Sequence, residues 1–159
     1  MSNLADETAL DPLRTIADYQ FGSGAGPALF PADEPIEIRR SSGGRPRQVL
    51  VSGTRVVSYG TDGRFRLGYE GGKRLQAALD PPAYRVVVGD ESAPFVRDGK
   101  NVFAKFVTEV DPVIRPGDEV LVEHHTGSLL GVGRAELSAD GIEDFESGMA
   151  VKVRDGTPE

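Results

Sequence analysis

The chain contains no cysteine, only two histidines and two methionines, and no apolar run near the roughly 20 residues of a membrane span. Without cysteine there is no disulfide, no thiol nucleophile and no cysteine-bound zinc. Asp6, Glu7 and Asp11 precede the first arginine, the reverse of the basic start of a secretory signal. A soluble cytoplasmic protein with no membrane partner is expected. Acidic residues are scattered, with no carboxylate pair spaced as acid and base, so no catalytic residue is nominated and the chain is read as a non-enzyme without a cofactor. The stretch GSGAG at 22–26 has neither the GxGxxG nor the GxxxxGK[ST] spacing and is read as a flexible connection. His124 and His125 are adjacent, so on a strand they point to opposite faces, and no third ligand is spaced to help. No metal site is expected.

Positive charge is scarce overall, since the net charge is −7. It is also unevenly placed. The first 80 residues are neutral, and the rest carry the whole deficit. Segment 39–74 holds nine basic residues against Asp62 and Glu70 alone, a local charge of +7. Arginine outnumbers lysine 14 to 4, a usage that with the many acids suits a high-salt cytoplasm. High salt weakens phosphate contacts steeply, which makes a retained basic patch more informative.

What is abundant is glycine (20) and proline (11), hence turns. Leu10, Leu13, Ile16 and Ala17 have helical spacing within residues 4–19, with Asp11 as an internal cap and Pro12 at the first helical position. Strands follow at 36–39, 48–51, 55–59 and 65–69, separated by Ser41-Ser42-Gly43-Gly44, Ser52-Gly53 and the hairpin signal Asp62-Gly63. A helix at 71–79 turns Leu75, Ala78 and Leu79 inward. Asp80-Pro81-Pro82 is the expected boundary, because neither proline continues a helix. Beyond it, 85–88 reads as a strand, 90–97 as a loop or helical turn, 129–137 as a strand, 138–145 as a short helix or turn, and 150–154 as a closing strand. The central stretch, GKNVFAKFVTEVDPVIRPGDEVLV, reads as a hairpin. Val102, Ala104 and Phe106 fall on one face and Phe103, Lys105 and Val107 on the other, with Pro116-Gly117 as a type II turn into Val120-Leu121-Val122. Short strands with a turn every ten residues or so indicate a small barrel or sandwich.

The segment VVVGDESAPFVRDGKNVFAKFVTEVDPVIRPGDEVLVEHHTGSLLGVGRAELS, with GMAVKVRDG after it, resembles a PUA domain, the pseudo-barrel named after pseudouridine synthases and archaeosine transglycosylases. FAKFV and RPGDEVLV are similar to the variety found at the C-terminus of archaeal tRNA-guanine transglycosylases. ADYQFGSGAGPALF, the Ser-Gly-Gly-Arg turn at 42–45 and the Asp62-Gly63 turn resemble the domain just before PUA in those enzymes. The resemblance covers residues 16–156 and implies an α+β N-terminal domain (1–81) followed by a mainly-β PUA pseudo-barrel (82–159). Nothing here corresponds to the catalytic barrel of those enzymes, its aspartate nucleophile or its zinc.

The resemblance implies an RNA partner, tRNA first, met along the turn and strand after the first PUA helix and along the last strand. On this sequence those are Arg97, Gly99, Lys100, Asn101, Phe103 and Lys105, with Lys152 and Arg154. Gly99 permits close backbone approach to a phosphate, Lys100 and Lys105 supply charge, and Asn101 can hydrogen-bond phosphate or 2′-OH. The alternative is that Lys105, Lys152 and Arg154 are ordinary solvated strand positions, and that Phe103 is core instead of a stacking platform. Gly131 and Gly133 share a strand face and mark a barrel bend more readily than an RNA groove, with Arg134 a secondary contact. Arg45, Arg47, Arg64 and Arg66 flank turns and are read as converging on one edge of the first domain, where they add to RNA affinity or form a solvated face. The expected function is non-catalytic RNA binding, as a targeting subunit for a separately encoded tRNA-modifying enzyme. The alternatives are a translation factor on the small ribosomal subunit, and a protein-interaction module with no RNA role.

Overall fold

The computed structural model describes residues 4–144 and 147–158 and divides them between two compact units, Met1–Leu79 and Asp80–Glu159. Among the described residues no helix is long and apolar enough to cross a membrane.

The first unit begins with α1, Glu7–Phe21, whose Leu10, Leu13, Ala17 and Phe21 recur every three to four residues and are buried. The expected cap is corrected. Asp6, not Asp11, accepts the amide of Ala9 at 3.0 Å, and Pro12 lies inside the helix. GSGAG is also more than a connection, since Ala25–Leu29 forms α2, with the amide of Gly26 donating to Asp18 Oδ1 at 2.6 Å. Four antiparallel strands follow in sequence order: β1 (Ile36–Arg40), β2 (Pro46–Val51), β3 (Thr54–Tyr59) and β4 (Phe65–Leu67). The register sets Ile38, Val49, Val57 and Leu67 in one row across the sheet, all buried. Phe65 makes edge contacts with Phe30 and Tyr59, at 5.6 and 5.2 Å between centroids. On the edge strand β4, Gln20 stands in for a missing neighbour. Its amide nitrogen donates to the Phe65 carbonyl and its oxygen accepts the Phe65 amide, both at 2.8 Å. The last helix, α3 (Tyr69–Ala78), buries Gly71, Gly72 and Leu75 and starts earlier than expected, taking Tyr69 from the strand. Ala78 is exposed, not inward.

The second unit is one six-stranded sheet around a core that includes Val86, Val88, Val96, Val120, Val122, Leu130 and Val151. In chain order its elements are β5 (Arg85–Val88), α4 (Ala93–Arg97), β6 (Val102–Phe103), a 3-10 turn (Ala104–Phe106), β7 (Val107–Val110), β8 (Glu119–His124), β9 (Leu129–Ala135), α5 (Ala139–Asp144) and β10 (Met149–Gly156). Phe145, the end of the expected 138–145 helix, lies outside the described residues.

The sheet order is β6-β10-β9-β8-β5-β7. Its two edges, β6 and β7, are joined by only the three residues Ala104–Phe106. Laid flat, six strands at about 4.8 Å spacing would put those edges about 24 Å apart. A 3-10 turn rising about 2 Å per residue spans far less. The sheet must therefore curl into a nearly closed barrel. An α+β unit followed by a mainly-β pseudo-barrel is the expected fold class.

The central hairpin is overturned by the same topology. Residues 102–107 do not pair with 120–122; β6 pairs with β10, β7 with β5, and β8 with β9 and, in parallel, with β5. The turn itself is as expected. Gly117 has φ 90° and the Asp118 amide donates to the Arg115 carbonyl at 3.1 Å, the form in which only glycine is comfortable at the third position. What local turn chemistry could not reveal is that Pro116-Gly117 ends a loop, Asp111–Asp118, pinned by its own side chains. Asp111 accepts the amides of Tyr84 and Val113 at 2.8 and 3.1 Å, and Ile114 is buried.

Candidate nucleic-acid interface

The segment between α4 and β6 is held to β10 by two separate contacts. Gly99, at φ 88°, reverses the chain after α4, and the Lys100 amide donates back to the Phe95 carbonyl at 2.9 Å. Asn101 Oδ1 accepts the amide of Val153 at 3.0 Å. A methyl group at Gly156 would lie 2.2 Å from the Arg97 carbonyl and 2.8 Å from the Gly99 nitrogen, so β10 ends pressed against this reversal. Pairing of Val102 with Val151 and of Phe103 with Met149 continues the attachment. Lys152 in turn sits opposite Arg134 on β9. Residues 97–103 thus run along the edge of β10 from Gly156 to Met149, with Lys152 on β10 and Arg134 on β9 alongside, and this flank forms a rim of the barrel.

The side chains on this rim differ in availability. Arg97, Lys100, Arg134 and Lys152 are exposed. Phe103 is 44% exposed, so it is a partly open platform rather than core. Lys105 is exposed on the 3-10 turn, with its Nζ 5.0 Å from the ring centre of Phe106. Arg134 donates to Glu136 at 3.1 Å. Arg154 is half-buried, and its guanidinium grips both carboxylate oxygens of Glu119 at 2.6 and 2.8 Å. Sequence reasoning passed over Phe95, which is 61% exposed on α4. Its neighbours Ala93 and Val96 already fill the inward positions of that short helix, and this spacing was the available signal. Gly133 has a packing role: a Cβ there would be 2.2 Å from the Lys152 carbonyl, beside the register shift between Val153 and Asp155.

In the first unit, Arg45, Arg47, Arg64 and Arg66 are all exposed. The antiparallel order β1-β2-β3-β4 puts the turn before β2 and the turn before β4 at the same end of the sheet, so the four arginines share that end.

One cluster departs from expectation. Because β8 stops at His124 and His125 begins the turn, the two rings do not point apart. Their centroids are 4.1 Å from each other, and their Nε2 atoms lie 2.6 and 3.0 Å from the same Asp90 oxygen. The hydrogen bonds from the two imidazoles hold the Asp90 carboxyl below its usual range.

The geometry defines a class: a small α+β unit followed by a near-closed six-stranded barrel with a cationic and aromatic rim. Residues 11–82 match the patch-forming domain C2 of tRNA-guanine transglycosylase, and residues 84–157 match the PUA domain. Together the two matches span residues 11–157, so the chain resembles a C2-type domain followed by a PUA-type domain. It is 47% identical over 154 residues to the tRNA-guanine(15) transglycosylase of Pyrococcus furiosus, a match that covers 96% of this chain and 26% of that enzyme. The chain thus spans about a quarter of the length of the curated relatives it matches. Its fold is shared with a hypothetical protein of Pyrococcus horikoshii, at TM-score 0.76 and 20% identity over 100% of this chain and 96% of that one. A conserved PUA-domain protein of Thermoplasma acidophilum shares it too, at TM-score 0.73 and 18% identity over 99% and 94%.

Proposed function

We propose that these two domains bind structured RNA, tRNA first, without chemistry of their own, and present it to a tRNA-modifying enzyme. The observation that carries this reading is the rim on which Arg97, Lys100, Phe103 and Lys152 are open together beside a glycine reversal. Lysine and arginine there meet phosphates, Phe103 offers a face to an unstacked base, and Gly99, half-buried and without a side chain, allows close approach of the backbone. Asn101 keeps the segment in place through Val153 and has its amide NH2 for the ribose or phosphate. Lys105 and Arg134 extend the charge to either side. The arginines 45, 47, 64 and 66 add a second cationic site on the first domain. The net charge of −7 opposes long-range attraction, so affinity depends on these local groups rather than on the field of the whole chain. The relationship to the tRNA-guanine(15) transglycosylases favours tRNA as the ligand and modification as the context.

The test is direct binding of unmodified tRNA transcript to the full chain in a salt series. The reading expects saturable binding that weakens with salt and is lost in the Lys100→Glu, Lys152→Glu double variant. Binding unchanged in a folded double variant would sink it.

A further inference from the structure

The Asp90, His124 and His125 cluster has the ligand types, spacing and support of a metal site, and we infer that it binds one divalent transition ion of the zinc kind. The three ligand atoms lie within 4.8 Å of one another. Around an ion with bonds of about 2.0–2.1 Å, tetrahedral donors stand about 3.4 Å apart. The two Nε2 atoms, now 2.6 and 3.0 Å from Asp90 Oδ1, need move apart from it by less than about 1 Å to admit one. Asp90, whose side chain is 83% exposed, is free to make that movement.

The imidazoles are also oriented for the task. His124 Nδ1 lies 2.6 Å from the Thr126 hydroxyl. Binding an ion would move the ring proton from Nε2, where it now meets Asp90, to Nδ1, where Nδ1–H donates to that oxygen and leaves the Nε2 lone pair for the ion. Such an outer hydrogen bond fixes the tautomer of a metal-bound histidine. A carboxylate oxygen cannot donate, so each Nε2 contact with it requires either a ring proton or a cation between the groups.

The surroundings select the charge of the ligand. A cleft of about 490 Å³ runs past both histidines; its walls include Glu109, Asp111 and Glu143, and Glu123 there is paired with Arg85 at 3.0 Å. Those carboxylates favour a cation and repel a phosphate. Two imidazoles and one carboxylate suit zinc, cobalt or nickel better than magnesium or calcium, which take oxygen ligands. Three protein ligands leave a fourth position open to water. The site owes nothing to the RNA rim, which lies on other elements, so the two readings stand or fall separately.

Titration of the tag-free full chain with zinc chloride, followed by calorimetry, tests the inference. The expected result is one Zn2+ per chain, a Zn2+-dependent rise in melting temperature, and loss of both in Asp90→Asn and in His125→Ala. His125 is half exposed, so its loss leaves the core intact. Thr126→Val keeps all three ligands and weakens Zn2+ binding by roughly tenfold. No uptake by the parent chain overturns the inference, as does uptake that persists in His124→Ala, His125→Ala. Equal affinity for Mg2+ and Zn2+ also overturns it, because it would indicate a diffuse acidic surface.

Discussion

Arg154 on β10 reaches across β9 to hold Glu119 on β8 in a two-pronged ion pair, at 2.6 and 2.8 Å. Glu119's side chain is only 5% exposed, so the pair is a strut of the barrel. Removing one partner of a buried pair leaves a desolvated charge and costs about 3 kcal/mol. Arg154→Ala should therefore lower the urea unfolding free energy by about that amount. RNA affinity per folded molecule should stay within about twofold, a shift below 0.5 kcal/mol. The double variant Glu119→Gln, Arg154→Met should recover most of the stability, because no charge is then left buried. Normal stability with lost RNA binding in Arg154→Ala would reverse this assignment.

Lys100 and Lys152 separate charge from structure, because both are exposed and neither is needed to hold the rim together. Replacing either with alanine should reduce the steepness of log affinity against log salt by roughly one, the signature of one lost phosphate contact. Denaturant midpoints should not move. An unchanged salt slope in both variants would place the phosphate contacts elsewhere, and Arg45, Arg47, Arg64 and Arg66 would be the next to replace.

Phe103 and Phe65 give a paired comparison. Phe65 is fully buried between Phe30 and Tyr59, and Phe65→Ala should cost about 3–5 kcal/mol of stability. Phe103 is 44% exposed, and Phe103→Ala should leave stability nearly intact. Its cost should appear in binding to single-stranded RNA, at about 1–3 kcal/mol for one stacked base. A large stability loss with unchanged RNA affinity would return Phe103 to the core.

The fold was legible where short-range rules decide it. Alternation of Ile36 and Ile38 with Glu37 and Arg39 gave β1, short apolar runs gave the strands around Val49 and Val57, and Asp62-Gly63 and Pro116-Gly117 made the turns their chemistry demands. Pairing was not legible. The stretch 102–107 has strand periodicity, yet it is broken by a 3-10 turn and shared between opposite edges of a curled sheet, a consequence of barrel closure that no local window contains. Likewise, adjacency argued against a shared ligand at His124 and His125, but the end of β8 between them rotates the second ring toward Asp90. The rim was named residue by residue, while its fastening by Asn101 to Val153 and by Gly156 to Arg97 depends on a strand some 50 residues away.

The last prediction concerns acid stability and the Glu34–Arg74 pair, which ties α3 to the loop before β1. Arg74 donates to both Glu34 oxygens at 2.9 and 3.0 Å, and the Ser52 hydroxyl adds a third bond at 3.0 Å. These bonds, that with Arg74 foremost, lower the Glu34 carboxyl from 4.5 to about 2. A carboxyl that is harder to protonate folded than unfolded stabilises the fold fully above its unfolded value. That contribution falls as the pH drops from about 4.5 and is gone near 2, where the folded form also takes up the proton. Other carboxylates titrate in the same window, so the informative quantity is the difference between the parent chain and Glu34→Gln. Urea unfolding across the window should show the parent more stable above pH 4.5, with the gap closing toward pH 2. A gap that stays constant throughout would mean that Glu34 titrates normally in the folded protein, and that the pair with Arg74 does not hold in solution.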